Sequence, residues 1–336
     1  MDVEGRMRLI PFTFRALEEL EIGPKWQAMF EQAWADYRQW FLQEGEEARA
    51  SYATSARMLK AHMPELFPVY ERLVELAGGG DLAARMLSIY KPPPYLAACS
   101  QGVWTRFGGP MLVRNYDYAP SRLEGLIFHS RLLERNVIGM SDCLWGLLDG
   151  MNDAGLAVSL TFGGRRVLGD GFGIPLILRY ILETCQTSKE AQEVLARVPL
   201  NLAHNVTIVD LQGDVVTAYL SPDREPVFSR SPAATNHQGF VDWPEQARAT
   251  RTLEREQHML ELLHAPYSTA DGFADSFLQH YLYSTAYERG FGTLYTAVYL
   301  PAEDRAEYRW PGFTWRQSFE RFEEGMHEEI LAEGVA

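Results

Sequence analysis

Cysteine is scarce in this chain: Cys99, Cys143 and Cys185 are the only three in 336 residues. An odd, sparse set excludes a disulfide scaffold, and no paired Cys or His-x-x-x-His spacing suggests a metal. His237, His258, His264 and His280 are scattered, so neither metal nor other cofactor is expected. Positive charge is also in deficit, with 31 Lys and Arg against 45 Asp and Glu, a net charge of −14. That field repels phosphate backbones, and with no basic patch to offset it no nucleic-acid partner is expected. No window approaches the roughly 18 consecutive apolar residues that cross a bilayer, so no membrane role is expected either. The start, Met1-Asp2-Val3-Glu4-Gly5, lacks a basic-then-apolar leader. Together with the free thiols this sets the expectation of a cytoplasmic protein. The glycine-rich run 169–173 lacks the Lys-Ser/Thr end of a phosphate loop and reads as a flexible approach to a helix. No repeat of 20 to 50 residues is present.

What the chain does have is 46% hydrophobic residues, enough for a large core. Residues 25–90 read as helices, with Trp26, Met29, Phe30, Ala33, Trp34, Tyr37 and Phe41 at three- and four-residue spacing. The run Pro92-Pro93-Pro94 ends that texture. Beyond it, 103–104, 111–115, 143–148 and 156–162 read as strands separated by Gly or Asn-Asp turns. Residues 173–184 are apolar at helical period, and Thr187 to Glu190 has capping-box spacing for a second helix. A hairpin over 206–220 and a strand over 293–299 follow. Antiparallel strands bracketing a helix pair predict a layered α/β domain with helices on sheet faces.

The chemistry concentrates in one predicted hairpin. If its turn lies at Gly108 and Gly109, Cys99 falls opposite Asp117 and Tyr118 to within about two residues. A thiol, a carboxylate and the Arg114 guanidinium then share one strand end. Arg114 favours the thiolate, the form that attacks carbonyls, and Asp117 is placed to orient an amine. The bland alternatives are a small buried cysteine and a local Arg114–Asp117 salt bridge. Cys143, read in a strand with Leu144 and Trp145, and Cys185, at the end of an apolar helix, keep that bland reading.

Cys99-Ser100, Arg114-Asn115-Tyr116-Asp117, the stretch from Asp149 to Leu156 and Thr235-Asn236-His237, in that order and separation, carry a resemblance. The chain resembles the acyl-coenzyme A:6-aminopenicillanic acid acyltransferase family, relatives of choloylglycine hydrolases and penicillin V acylases. The resemblance implies an N-terminal nucleophile hydrolase, a four-layer αββα sandwich of α+β class, spanning 99–336 after a helical propeptide-like region of 1–98. It implies self-cleavage before Cys99, whose freed α-amine, titrating near pH 8, then acts as base on its own thiol. Asp117 would hold that amine, and Arg114 would tune the thiol. Asn236 would donate to the oxyanion, Asn152 would be a second donor, and Arg251 is the preferred candidate for an arginine that follows the asparagine motif. Asn152 also suits a plain turn. The implied substrate is a small acyl amide, with acyl-coenzyme A as an acyl donor and homo-oligomer formation left open. One departure is Ala98, where penicillin-modifying members have glycine, whose freedom eases a strained scissile bond.

Two other readings stand beside this one. A papain-type hydrolase would use Cys99 with His237 as base, without the sequence surroundings expected of such a cysteine. A binding protein of the same fold would never cut before Cys99.

Overall fold

The computed structural model describes residues 9–332. The chain opens with strand β1 (Leu9–Glu18) and four helices, α1 (Pro24–Phe41), α2 (Tyr52–His62), α3 (Phe67–Leu76) and α4 (Asp81–Leu87). Strands β2 (Ala98–Trp104) and β3 (Met111–Tyr118) form the hairpin that carries Cys99. A meander follows in β4 (Leu126–Ser130), β5 (Val137–Asp142), β6 (Gly146–Asn152) and β7 (Ala157–Phe162), then helices α5 (Ile174–Thr184) and α6 (Ser188–Arg197). Strands β8 (His204–Val209), β9 (Val215–Ser221), β10 (Arg224–Ser229) and β11 (Ala233–Ala234) precede α7 (Pro244–Thr250), α8 (Thr252–His264) and α9 (Ala270–Ser276). The last strands are β12 (Thr285–Ala286), β13 (Phe291–Leu300), β14 (Arg305–Trp310), β15 (Phe313–Ser318) and β16 (Gly325–Ala332).

These strands make two sheets. A nine-stranded sheet runs β10-β9-β8-β7-β6-β5-β4-β1-β16, and a smaller one runs β11-β2-β3-β13-β14-β15 with β12 beside β13. Their inner faces pack where β2 and β3 meet β7 and β8, and polar groups bridge the layers: Ser159 Oγ donates to Gln101 Oε1 at 2.6 Å. Helix α5 covers the outer face of the large sheet over β6 and β7, with α6 over β9. Every residue of α5 from Ile174 to Glu183 is buried, and the N-terminal helical region reaches it and the neighbouring turn. Tyr180 of α5 bonds Glu65, and Trp145 Nε1 bonds Leu87 O. On the far side α8 packs on β2 and β11. The rings of α9 approach so closely that a Cβ on Gly102 would lie 2.7 Å from Phe273. Helices outside two facing sheets give the αββα order that the family resemblance implies.

Local chemistry explains several elements. Thr187 and Glu190 form the capping box at α6, each side chain bonding the other's backbone N–H. Pro24 and Pro175 stand in the first turns of α1 and α5. Three expectations change. Residues 1–98 are not purely helical, since β1 lies inside the large sheet, parallel to β4 and antiparallel to β16. Cys143 is not in a strand: Cys143 and Leu144, at φ of 55° and 73°, form the tight β5–β6 turn, held by Tyr37 and Glu124 on its amides. The run 169–173 is packed rather than loose, a Cβ on Gly171 lying 2.4 Å from the Leu200 backbone.

Candidate active site

The hairpin register pairs Ala98 with Asp117 and Cys99 with Tyr116. Cys99 is fully buried between the sheets. Its Sγ accepts from Arg114 Nη2 at 3.5 Å, and its backbone N–H donates to Asn236 Oδ1 at 3.1 Å. Burial pushes the thiol up to about 11, against the pull of the Arg114 charge, while the Asp117 charge adds to the rise. A thiol held so high is mostly protonated at neutral pH, so attack requires a base beside it.

Arg114 is fixed on three further sides. Its Nε donates to Leu160 O at 3.0 Å, its Nη1 pairs with Asp149 and meets the Tyr295 hydroxyl at 2.8 Å, and its plane lies 4.6 Å from the Tyr116 ring. Asp149 also accepts from Tyr295 and Tyr299. Guanidinium and carboxylate are both fully buried, and such a pair persists only because its remaining hydrogen bonds are made.

Asp117 accepts from Thr293 Oγ1 at 2.7 Å and lies 3.6 Å from Arg255 Nη1. Burial pushes its carboxyl up to about 6, opposed by Arg255, by the Thr293 bond and by Arg114. Arg255 is the hub that sequence reasoning missed. It donates to Cys99 O at 2.7 Å, to Ser100 Oγ at 2.8 Å and to Asn236 Oδ1 at 2.8 Å. With Oδ1 taken by Arg255 and the Cys99 N–H, the Asn236 amide has one orientation, and Nδ2 donates to Ala97 O at 3.3 Å and Phe162 O at 3.1 Å.

The structure thus brings Cys99, Arg114, Asp117 and Asn236 together, and keeps Arg251 and Asn152 apart from them. Arg251 sits in the left-handed break between α7 and α8, exposed, with its guanidinium over the Tyr281 ring. Its neighbour one helical turn on, Arg255, faces inward because the buried side of α8 runs through Thr252, Arg255, Met259 and Leu263. That spacing was readable in the sequence and selects Arg255 over Arg251. Asn152 donates Nδ2 to Leu182 O and Cys185 O, while Oδ1 accepts the N–H groups of Ala154 and Leu156. Its amide ties a turn to the end of α5 and has no donor left for an oxyanion. Asp149 stood in the quoted motif but was given no role; its partner tyrosines come from β13, too distant in sequence to be paired by inspection.

His237 places Nε2 3.2 Å from Glu256 and faces Thr235 and Thr252 through Nδ1. Both nitrogens are committed away from Cys99, which removes the papain-type pairing. No cluster among the described residues could hold a metal, and no described helix is long and apolar enough to cross a membrane. A cavity of about 560 Å³ adjoins the site, with Tyr116, the cross-strand partner of Cys99, in its wall.

Residues 104–315 match the profile of the family described as acyl-coenzyme A:6-aminopenicillanic acid acyl-transferase. Among solved structures, the chain is similar to a conjugated bile acid hydrolase from Clostridium perfringens, at 11% identity and a TM-score of 0.49, over 68% of this chain and 96% of that one. It is similar to the penicillin V acylase of Agrobacterium tumefaciens, at 14% identity and 0.49, over 66% and 87%. A Caenorhabditis elegans ortholog of N-acylethanolamine-hydrolyzing acid amidase gives 16% identity and 0.43, over 61% and 93%. No curated protein matches the sequence.

Proposed function

The chain belongs to the acyl-coenzyme A:6-aminopenicillanic acid acyltransferase family, an enzyme family of amide hydrolysis and acyl transfer, and from that membership we propose that Cys99 is its nucleophile, released by self-cleavage of the Ala98–Cys99 bond. One observation carries this reading. A single side chain, Asn236, holds the nitrogen of Cys99 through Oδ1 and aims Nδ2 at the segment just before the bond to be cut.

In the cut, Cys99 Sγ attacks the Ala98 carbonyl carbon, and the C–N bond breaks as the nitrogen takes a proton and becomes an amine. The thioester left on Sγ is then hydrolysed by water, giving an Ala98 carboxylate and a free thiol. Two features support an inactive uncut chain: Sγ is fully buried, and Ala97 O occupies the Asn236 donor. Departure of residues 97 and 98 frees both.

In turnover, the new α-amine, held by Asn236 Oδ1 and the Asp117 carboxylate, takes the thiol proton. Arg114 stabilises the thiolate, and Asn236 Nδ2 receives the oxyanion of the tetrahedral intermediate. The amine returns its proton to the leaving nitrogen, leaving a thioester. Water then completes amide hydrolysis, or an amine acceptor completes acyl transfer, with acyl-coenzyme A able to load the same cysteine.

The test is Cys99→Ala, which should stay uncut and inactive toward a chromogenic acyl amide while remaining folded, with wild-type-like far-UV circular dichroism. Turnover retained in that variant removes the nucleophile assignment.

A further inference from the structure

The cavity beside Tyr116 lies under α1 and is walled by Trp40, Tyr95, Tyr116 and Tyr118, with Glu124 and Asp142 as its inner carboxylates. Asp142 is only 9% exposed, and no lysine or arginine forms an ion pair with either acid among the described residues. Glu124 accepts from the Tyr37 hydroxyl and the Leu144 N–H, and the side-chain neighbour of Asp142 is the Cys143 thiol at 3.8 Å. The nearest guanidinium deeper in the fold, Arg114, is committed to Asp149, and Arg122 stands exposed at the rim. The Tyr95 hydroxyl is buried without a hydrogen-bond partner.

Burial and the charge of Glu124 push the Asp142 carboxyl up, the direction expected of buried acids with no paired cationic side chain. An anionic ligand would meet two acids, and a neutral apolar one would bury them unpaired. An ammonium group satisfies carboxylates, the lone tyrosine hydroxyl and aromatic faces together. We propose that this cavity, which shares Tyr116 with the Cys99 strand pair, binds the cationic, ammonium-bearing end of the amide substrate. That the bound cation belongs to the substrate rests on Cys99 being the nucleophile; the cation site itself stands on the cavity alone. The phosphates of coenzyme A are correspondingly excluded from it.

The experiment is calorimetric titration of the full-length Cys99→Ala protein with hexylammonium and, separately, with hexan-1-ol. Hexylammonium should bind about tenfold or more tighter than the alcohol, a factor of the size that a desolvated cation–π and carboxylate site supplies. Asp142→Asn should erase that preference. Should Asp142→Asn fail to fold, Trp40→Ala, changed on the partly exposed α1 wall, should reduce it instead. Equal binding of the two probes, no binding of either, or a preference untouched in a folded variant overturns the proposal. Because the probes are read without the Cys99 thiol, their failure leaves the nucleophile reading standing. Amide turnover surviving in Cys99→Ala sinks that reading and leaves the cation site intact.

Discussion

Replacing Arg255 by lysine tests the hub of the site while keeping its charge. Arg255 reaches Cys99 O, Ser100 Oγ and Asn236 Oδ1 within 2.7 to 2.8 Å, with its Nε on Thr250 O at 2.7 Å. A planar fork can span these acceptors; one ammonium on a flexible stem cannot. Losing the charged partner of Asn236 Oδ1 removes a bond worth about 1.5–3 kcal/mol, and the amide then has no fixed orientation for Nδ2. Loss of one oxyanion donor costs about 10²–10³ in kcat. Arg255→Lys should therefore lower kcat about a hundredfold with little change in KM, and cost about 2 kcal/mol of stability from the unmade bonds. Arg251→Ala, which removes only an exposed contact with the Tyr281 ring, should stay within about twofold of wild type. Steady-state kinetics on a chromogenic acyl amide and thermal unfolding of both variants read the difference. A larger activity loss in Arg251→Ala than in Arg255→Lys refutes the placement of the hub.

Asn236→Ala should cut turnover about a hundredfold with a modest stability loss, checked by kcat beside a melting curve; a steep stability loss with activity intact means Asn236 only holds the backbone. Asp117, pushed up to about 6, should give activity an acid limb near that value, because only its ionised form holds an amine. Thr293→Val removes a bond that favours the ionised form and should move the limb to higher pH; an unmoved limb rules Asp117 out as its source. The stability sign is opposite: the folded carboxyl binds its proton more tightly than the unfolded one. Its contribution in uncut Cys99→Ala is full below about pH 4 and lost as pH rises through about 6, read by chemical denaturation. After cleavage, fragments 1–98 and 99–336 should co-elute in size-exclusion chromatography, since β1 stays paired with β4 and β16.

The hairpin geometry around Cys99 was legible because Gly108 and Gly109 mark its turn. The register expected from it, Cys99 near Asp117 and Tyr118, differs by one residue from the Cys99–Tyr116 pairing found. The capping box at Thr187 and the 293–299 strand were legible for the same local reason. Contacts decided across the sheets were not. Asp149 and Tyr295 meet at Arg114 from strands 146 residues apart in sequence, and no local period announces that. Arg251 and Arg255 are both basic and both follow the asparagine motif, and it is the buried side of α8, Thr252, Arg255, Met259 and Leu263, that separates them. Asn152 was drawn toward catalysis by its motif, whereas its four hydrogen bonds place it in the architecture. The strand β1 escaped because parallel pairing with β4 spans over a hundred residues.

Intact-mass spectrometry of the purified wild-type protein, run beside its activity on a chromogenic acyl amide, tests the central claim most directly. Cysteine catalysis by a freed α-amine requires two masses, for residues 1–98 and 99–336, appearing as activity appears, with Cys99→Ala remaining one inactive chain. Full activity in a wild-type chain of a single uncut mass would contradict it.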